Sequence, residues 1–128
     1  MTTDGGGWTL TAVSSDDGQN TWTWNNRHYW DTDTTVFGSL DALSQDFKSR
    51  AHHEVQTDNL LFFHSPSNDW AMYTIASASS DLGSYIETYD ESICWSGQSG
   101  IPMAAGTIAT NSDLCSTDLY FNALDQDS

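Results

Sequence analysis

Aspartate is the residue that most limits how this chain can fold. The sequence has eighteen acidic residues against three basic ones, for a formal net charge of −15, and fifteen of the eighteen acids are Asp. Glu favours helices, whereas Asp favours turns, helix caps and the loops that hold hard cations. We therefore expect most of the negative charge to lie in loops. A solubilising surface and, for a minority of the carboxylates, ligation of divalent cations both remain open as explanations.

Length and composition indicate one folded domain. The chain has 128 residues, 38% of them hydrophobic and 12% aromatic, and a domain of this size buries roughly two thirds of the surface of its unfolded chain. Three basic residues are too few to displace the counterions of nucleic acid phosphates, so we expect no nucleic acid partner. No apolar run approaches the roughly 18 residues of a spanning helix, so we also expect no membrane span.

Alternating and apolar runs predict several short strands. Residues 8–13 and residues 21–26 alternate apolar or aromatic side chains with threonine, which predicts two half-buried strands. The apolar runs at 59–64 and 70–75 flank the turn sequence SPSND, which predicts a central hairpin. Residues 117–121 are a further strand candidate.

Helical patterning is limited to two segments. Ser39 can cap a helix, and Leu40, Leu43 and Phe47 recur at helical spacing, so residues 39–49 are predicted to form a helix of about three turns. Residues 81–90 are predicted to be either a short helix or an irregular arm. Short strands mixed with one or two short helices indicate an α+β fold with a short antiparallel sheet and long loops.

Two motifs that suggest catalysis or metal binding lack the context that those functions need. Asp31 and Asp33 match the D-x-D-x-T pattern of phosphotransferases, but a polar, bulky NNRHYW stretch precedes them instead of a buried strand. They are better explained as loop caps or as contributors to a cation site. Adjacent His52 and His53 cannot ligate one zinc in the usual i, i+4 manner, and we expect a surface pair. No nucleophile elbow occurs either, so the sequence does not predict an enzyme.

The two cysteines, Cys94 and Cys115, lack the spacing of a zinc site but form an even count in an acidic, aromatic-rich chain. One disulfide closing a short loop is the preferred interpretation, and two buried free thiols remain the alternative. Such a disulfide would contribute on the order of 3 kcal/mol to stability.

The last eight residues, FNALDQDS, contain a candidate metal site. Asp125 and Asp127 are two residues apart, so on an extended backbone their carboxylates point to the same side. Calcium takes six to eight oxygens at about 2.4 Å, and two aspartates with nearby carbonyls supply about half of that shell. In so acidic a chain such a pair also arises by chance, and both interpretations remain open.

Four segments, in order along the chain, together resemble fibrinogen-related domains and their intelectin relatives. The most specific is GGGWTL at residues 5–10, which is similar to the family's opening motif. FGS at 37–39 ahead of DFK at 46–48 is similar to the following intelectin segment. ICWSGQSGIP at 93–102 looks like the intelectin branch, and FNALDQDS resembles the fibrinogen-type calcium loop.

This resemblance implies a fibrinogen C-terminal-like mixed fold in which residues 1–128 form a single domain. Because family domains are longer, we expect either an internal piece that is incomplete at both ends or an unusually short member whose ligand pocket is incomplete. The resemblance implies a secreted or cell-surface recognition module without enzymatic activity. Its partner would be a glycan or an acetylated ligand, held in a Ca²⁺-dependent way. The alternative is a structural or adhesion module that binds protein partners and uses calcium only to order a loop.

The resemblance also assigns roles to particular residues. Asp125 and Asp127 would be side-chain ligands of Ca²⁺, and Cys94 would pair with Cys115. Asp118 would take the place of an acid in the ligand loop of the intelectins.

The same loop departs from the intelectin pattern at its next two positions. Leu119 and Tyr120 stand where the family has histidine ligands. The resemblance therefore implies a glycan site without implying the intelectin mode of sugar binding.

Overall fold

The computed structural model describes residues 3–75, 80–88 and 103–108 of the chain. These residues form a mixed α+β fold, as predicted, with one two-stranded and one three-stranded antiparallel sheet. Its elements in chain order are a 3₁₀ helix at Thr3–Gly5, β1 at Ala12–Val13, a 3₁₀ helix at Trp24–Tyr29, β2 at Phe47–Lys48, α1 at Ala51–Glu54, β3 at Asn59–His64, β4 at Asp69–Thr74, α2 at Leu82–Thr88 and β5 at Met103–Gly106.

The predicted hairpin is confirmed and forms the larger sheet. Strands β3 and β4 pair antiparallel from Asn59↔Thr74 to His64↔Asp69, and β5 pairs with the other edge of β4. The turn closes as the SPSND sequence predicts, with Asn68 in a left-handed conformation at φ 61° and its N–H donating to the His64 carbonyl at 2.9 Å.

Alternate residues of β4 are buried, and they form the core of this sheet. Ala71 and Tyr73 are buried, and the half-buried side chains of Phe62, Met103 and Ile108 pack against them. Strand β5 has only the sequence Met-Ala-Ala-Gly, which carries no β-branched or alternating signal, so sequence patterning missed it.

The smaller sheet joins segments that are far apart in the chain. Strand β1 pairs with β2 through Ala12↔Lys48 and Val13↔Phe47, and Phe37 forms a bridge to Lys48. The predicted strand at 8–13 is therefore confirmed only at its last two residues. Ser49 continues the contact beyond the sheet, because its N–H donates to the Thr11 carbonyl at 2.8 Å.

The predicted strand at 21–26 is wrong, because the chain forms the 3₁₀ helix Trp24–Tyr29 there. Local hydrogen bonds replace strand pairing: the Asn26 N–H donates to the Thr23 carbonyl, and the Asn26 side chain donates to the Asn20 carbonyl at 2.8 Å. Trp22 lies against Trp30 and Phe37 instead of alternating across a sheet.

The predicted helix at 39–49 is also wrong. Residues 39–45 form only isolated turns, with the Ala42 N–H donating to Ser39 and the Gln45 N–H donating to Ala42. Leu40, which the helical pattern would bury, is 66% exposed. The Phe47 and Lys48 backbone instead pairs with β1, so non-local pairing overrides the local helical spacing.

Helix α2 confirms the helical alternative for residues 81–90 over Leu82–Thr88. Asp81 caps it, because its carboxylate accepts the Ser84 N–H at 2.9 Å and the Ser84 hydroxyl at 2.8 Å. In the part of the chain that the structure describes, no helix is both long and apolar enough to cross a membrane. The strand candidate at 117–121 lies outside the described residues.

Alanine substitutions at two glycines with similar φ angles allow the cost of backbone strain to be distinguished from the cost of a steric clash. Gly38 (φ 78°) and Gly18 (φ 76°) both have left-handed backbones, but a Cβ at Gly38 would overlap the Asp46 carbonyl oxygen and lie 2.9 Å from Phe47 Cα, whereas one at Gly18 would meet nothing. Gly18→Ala should therefore lower the free energy of unfolding by about 1–2 kcal/mol. Gly38→Ala should lower it by about 3 kcal/mol or more, because overpacking adds to the strain. Urea unfolding measures both free energies of unfolding. Equal losses in the two variants would contradict the close approach of Gly38 to the Asp46 carbonyl oxygen.

Candidate functional site

The residues that the sequence predicts for ligand binding lie outside the described residues. These are the proposed calcium ligands Asp125 and Asp127, the proposed ligand contact Asp118, and the proposed disulfide partners Cys94 and Cys115. Their roles therefore stay predictions. The structure does describe the first two segments on which the resemblance depends.

The GGGW segment has a backbone that only glycine adopts readily. Gly5, Gly6 and Gly7 all have positive φ angles, of 83°, 84° and 82°. Side chains are strained in this region, so three consecutive glycines are a conformational requirement here. The tight turn also positions Trp8, whose indole N–H donates to the Thr3 carbonyl at 2.8 Å.

The FGS and DFK pieces of the second segment meet directly. Phe37 and Lys48 exchange backbone hydrogen bonds of 3.2 and 2.9 Å, and Gly38 lies against the Asp46 carbonyl without room for a side chain. We define the motif unit as residues 5–17 together with residues 37–48, which β1 and β2 join. Two segments that are about thirty residues apart in sequence therefore build one structure.

Two aspartates form hydrogen bonds between the two parts of the motif unit. Buried Asp46 donates its N–H to the Asp17 carboxylate at 2.9 Å, and its own carboxylate accepts the Ser15 N–H at 2.9 Å. The N–H groups of Asp46 and then Gln19 lower the pKa of the Asp17 carboxyl below its usual range, because they stabilise its anion. These two acids hold loops together, in agreement with the loop placement predicted for aspartate.

A second group of polar side chains shares Lys48 with the motif unit. It is defined here as the histidine cluster: Asp33, Lys48, His52, His53 and Asp81. The His52 ring is completely buried and its Nε2 lies 2.8 Å from the Trp30 carbonyl oxygen. The His53 Nε2 lies 2.9 Å from the Asp33 carbonyl oxygen, and its Nδ1 lies 3.9 Å from the Asp81 carboxylate. The expected surface pair is therefore wrong, because α1 packs against the loop at 28–33 and against α2.

Lys48 is the most unusual member of this cluster. Its side chain is only 1% exposed, and its ammonium donates to the Asp33 carbonyl oxygen. Burial lowers the pKa of Lys48, while the nearby carboxylates of Asp33 and Asp31 partly oppose that effect. Sequence patterning gave no sign of this burial, since a lone lysine on a strand is ordinarily placed in water.

Asp31 and Asp33 act as loop caps, one of the two roles predicted for them. The Asp33 carboxylate accepts the Thr35 N–H at 2.7 Å, and the Asp31 carboxylate accepts the Thr32 hydroxyl at 3.0 Å. The Thr35 hydroxyl and then its N–H lower the pKa of Asp33. Across residues 3–75, 80–88 and 103–108, no group of three or more His, Cys, Asp or Glu residues is arranged to hold a metal ion.

Aromatic rings from three segments cover the other side of the 28–33 loop. Trp22 and Trp30 have centroids 4.3 Å apart, and Phe37 lies 5.3 Å from Trp22 and 5.2 Å from Tyr29. The tryptophans at 22 and 30 are half-buried, so much of their surface packs inside the protein. Beside them, a shallow groove of about 260 Å³ runs between residues 36–40 and residues 47–50.

Comparisons of the chain with protein-family models, with curated proteins and with solved structures found no match. The resemblance to fibrinogen-related domains therefore depends on the sequence motifs alone.

The contact between His53 and α2 can be tested by a double-mutant cycle. A Cβ at Gly83 would overlap the His53 ring and lie 2.9 Å from the Asp31 carbonyl oxygen. Gly83→Ala and His53→Ala should each lower the free energy of unfolding by about 1–3 kcal/mol. The double variant should cost less than the sum by about 1 kcal/mol, because removing the ring makes space for the methyl group. Strict additivity in thermal or urea unfolding would show that the two residues do not touch.

Proposed function

We propose that this chain is a calcium-dependent carbohydrate-recognition module of fibrinogen-related, intelectin-like type, secreted or displayed at a cell surface and without enzymatic activity. The observation that carries the proposal is the motif unit. The first segment that resembles the family, at residues 5–10, leads directly into Ala12–Val13, and these two residues pair with Phe47–Lys48 of the second segment.

Each distinctive residue of the motif unit has a role that depends on its type. The glycines at 5–7 have positive φ angles, and Gly38 leaves no room for a Cβ. Asp46 is buried and caps the Ser15 N–H, and Lys48 is buried against the Asp33 carbonyl. These conformations and contacts are consistent with the proposed family relation.

The proposed calcium site uses Asp125 and Asp127 for their carboxylate oxygens, which are the hard donors that Ca²⁺ prefers. When bound, the ion would offer open coordination positions to hydroxyl or acetyl oxygens of the ligand. Asp118 would lie beside that position and accept hydrogen bonds from sugar hydroxyls. An aromatic ring would pack on the apolar face of the sugar, as Trp and Tyr do in polar binding sites.

Charge supports a cation partner for this chain. Its three basic residues are Arg27, Lys48 and Arg50. Lys48 is buried, and Arg50 lies 3.6 Å from Glu54 in an exposed i, i+4 pair. The outward field of the protein is therefore almost entirely negative, which attracts divalent cations and repels polyanions.

Calcium should stabilise the chain through the proposed ligands. At a concentration about a hundredfold above Kd, Ca²⁺ should raise Tm by roughly 10 °C, and a chelator should reverse the shift. Asp125→Asn with Asp127→Asn should abolish it. Asp16→Asn with Asp41→Asn is the matched control, because it removes the same charge from two exposed positions and should keep the shift. An equal Ca²⁺ shift in both double variants, or no shift in the wild type, would contradict the assigned site.

The proposed pairing of Cys94 with Cys115 has a separate test. Alkylation of the unfolded chain without reductant, followed by intact-mass measurement, should add no alkyl group, whereas reduction first should add two. Two additions without reductant would leave the chain with free thiols and would remove the disulfide from the proposal.

An adhesion role is the second candidate, and exposed apolar side chains favour it. Val36, Leu40 and Leu43 are 46%, 66% and 44% exposed, and the first two line the groove between residues 36–40 and residues 47–50. Clusters of this kind occur at protein contact surfaces. This role predicts calcium stabilisation without sugar binding, and Leu40→Ser with Leu43→Ser would then weaken partner binding.

A further inference from the structure

Two adjacent histidines hold one loop segment of the chain in place. We call residues 28–33 the clasped segment, since ring nitrogens of His52 and His53 approach its carbonyl oxygens at Trp30 and Asp33 at 2.8 and 2.9 Å. A carbonyl oxygen can only accept, so Nε2 is the protonated nitrogen in each ring. Both side chains therefore fix the same segment against α1.

The environment of His52 leaves no place for a second ring proton. The residue is 0% exposed, and among the described residues its buried Nδ1 has no hydrogen-bond partner. A second proton could bind only at Nδ1, where no described group accepts the new N–H. A buried donor without an acceptor carries a substantial free-energy cost.

Nearby charges make this position still less suitable for a cation. The groups that face His52 are the buried ammonium of Lys48 from β2, the neighbouring ring of His53 on α1, and the carboxylate of Asp81 at the start of α2. In addition to burial, Lys48 and His53 both lower the pKa of His52. Asp81 is already engaged with Ser84, so it compensates only in part.

We propose that the His52–His53 pair is an acid-released latch, in which uptake of one proton at His52 Nδ1 favours an open form that has freed the clasped segment from α1 and brought the ring into water. The proton comes from solvent, and no covalent bond other than N–H changes. This property goes beyond the proposed recognition function and does not depend on it.

The direction of the pH effect follows from burial. Burial lowers the pKa of His52 from 6.5 to about 4 in the closed form, whereas a ring in water keeps the ordinary value. Above pH 6.5 both forms are neutral and the closed form has its full stability. As pH falls from 6.5 towards 4, only the open form binds the proton, so opening is favoured. The opening constant should rise about tenfold by pH 5.5 and on the order of 100-fold by pH 4.5.

Opening would disturb the aromatic surface as well as the loop. Trp30 lies on the clasped segment, 6.0 Å from the His52 ring on one side and 4.3 Å from Trp22 on the other. The Asp31 carbonyl also lies close to Gly83 of α2. Release of the segment therefore separates Trp30 from Trp22 and loosens the contact with α2.

Hydrogen exchange by NMR on the whole chain tests the latch. The amides of Trp30, Thr32 and Asp33 lie on the clasped segment, donate to the carbonyls of Arg27 and His28, and report its opening. Between pH 7.5 and 4.5 their protection factors should fall on the order of 100-fold, while those of the β3–β4 hairpin stay within about threefold. Unchanged protection of these amides, or an equal fall in the hairpin, would overturn the proposal.

Variants separate His52 from acid effects on the rest of the protein. His52→Gln keeps an N–H donor for the Trp30 carbonyl but cannot titrate, so it should remove the selective fall. His64→Gln is the control, since His64 is an exposed histidine that contacts Ser67, and it should retain the fall. A selective fall that persists in His52→Gln would overturn the proposal.

If His52→Gln does not fold, NMR of the wild-type protein provides the test. In the closed form, the His52 ring should keep the chemical shifts of a neutral imidazole at pH 5.5. A ring that titrates near pH 6.5 while the clasped segment stays protected would also overturn the proposal.

Discussion

The burial of Lys48 is the constraint on which the N-terminal half of the molecule depends. Its backbone pairs with Ala12 on one side and with Phe37 on the other, and its ammonium reaches the Asp33 carbonyl. Removing an ammonium from water is costly, so the Asp33 loop has to stay within reach. The histidines of α1 hold the same loop, which places the 28–33 segment, the small sheet and both α-helices in one connected arrangement.

Local signals predicted the β3–β4 hairpin, which has two apolar runs around a turn sequence. For residues 81–90 they left a short helix and an irregular arm both open, and the Asp81 cap of α2 is seen only in the structure. The predictions of a strand at 21–26 and of a helix at 39–49 were wrong for different reasons. Local hydrogen bonds close the 3₁₀ helix at Trp24–Tyr29, whereas Phe47 pairs with distant Val13, a contact that no local period reveals.

Some features of the candidate sites could likewise be predicted from local sequence, and others could not. Turn chemistry explains why Asp31, Asp33 and Asp81 serve as loop and helix caps, and the prediction that aspartate lies in loops anticipated that role. Burial of His52 and Lys48 could not be predicted, because it results from the meeting of β2, α1 and the 28–33 loop. The proposed ligand residues at 118, 125 and 127 depend on motif similarity, because they lie outside the described residues.

Sugar binding with and without free calcium tests the central claim most directly. A glycan array probed with the chain in Ca²⁺, and again after chelation, should show binding to a defined group of glycans that disappears on chelation and returns when Ca²⁺ is restored. Binding that survives chelation, or no glycan binding in Ca²⁺ under conditions where the chain is folded, would contradict a calcium-dependent carbohydrate-recognition function.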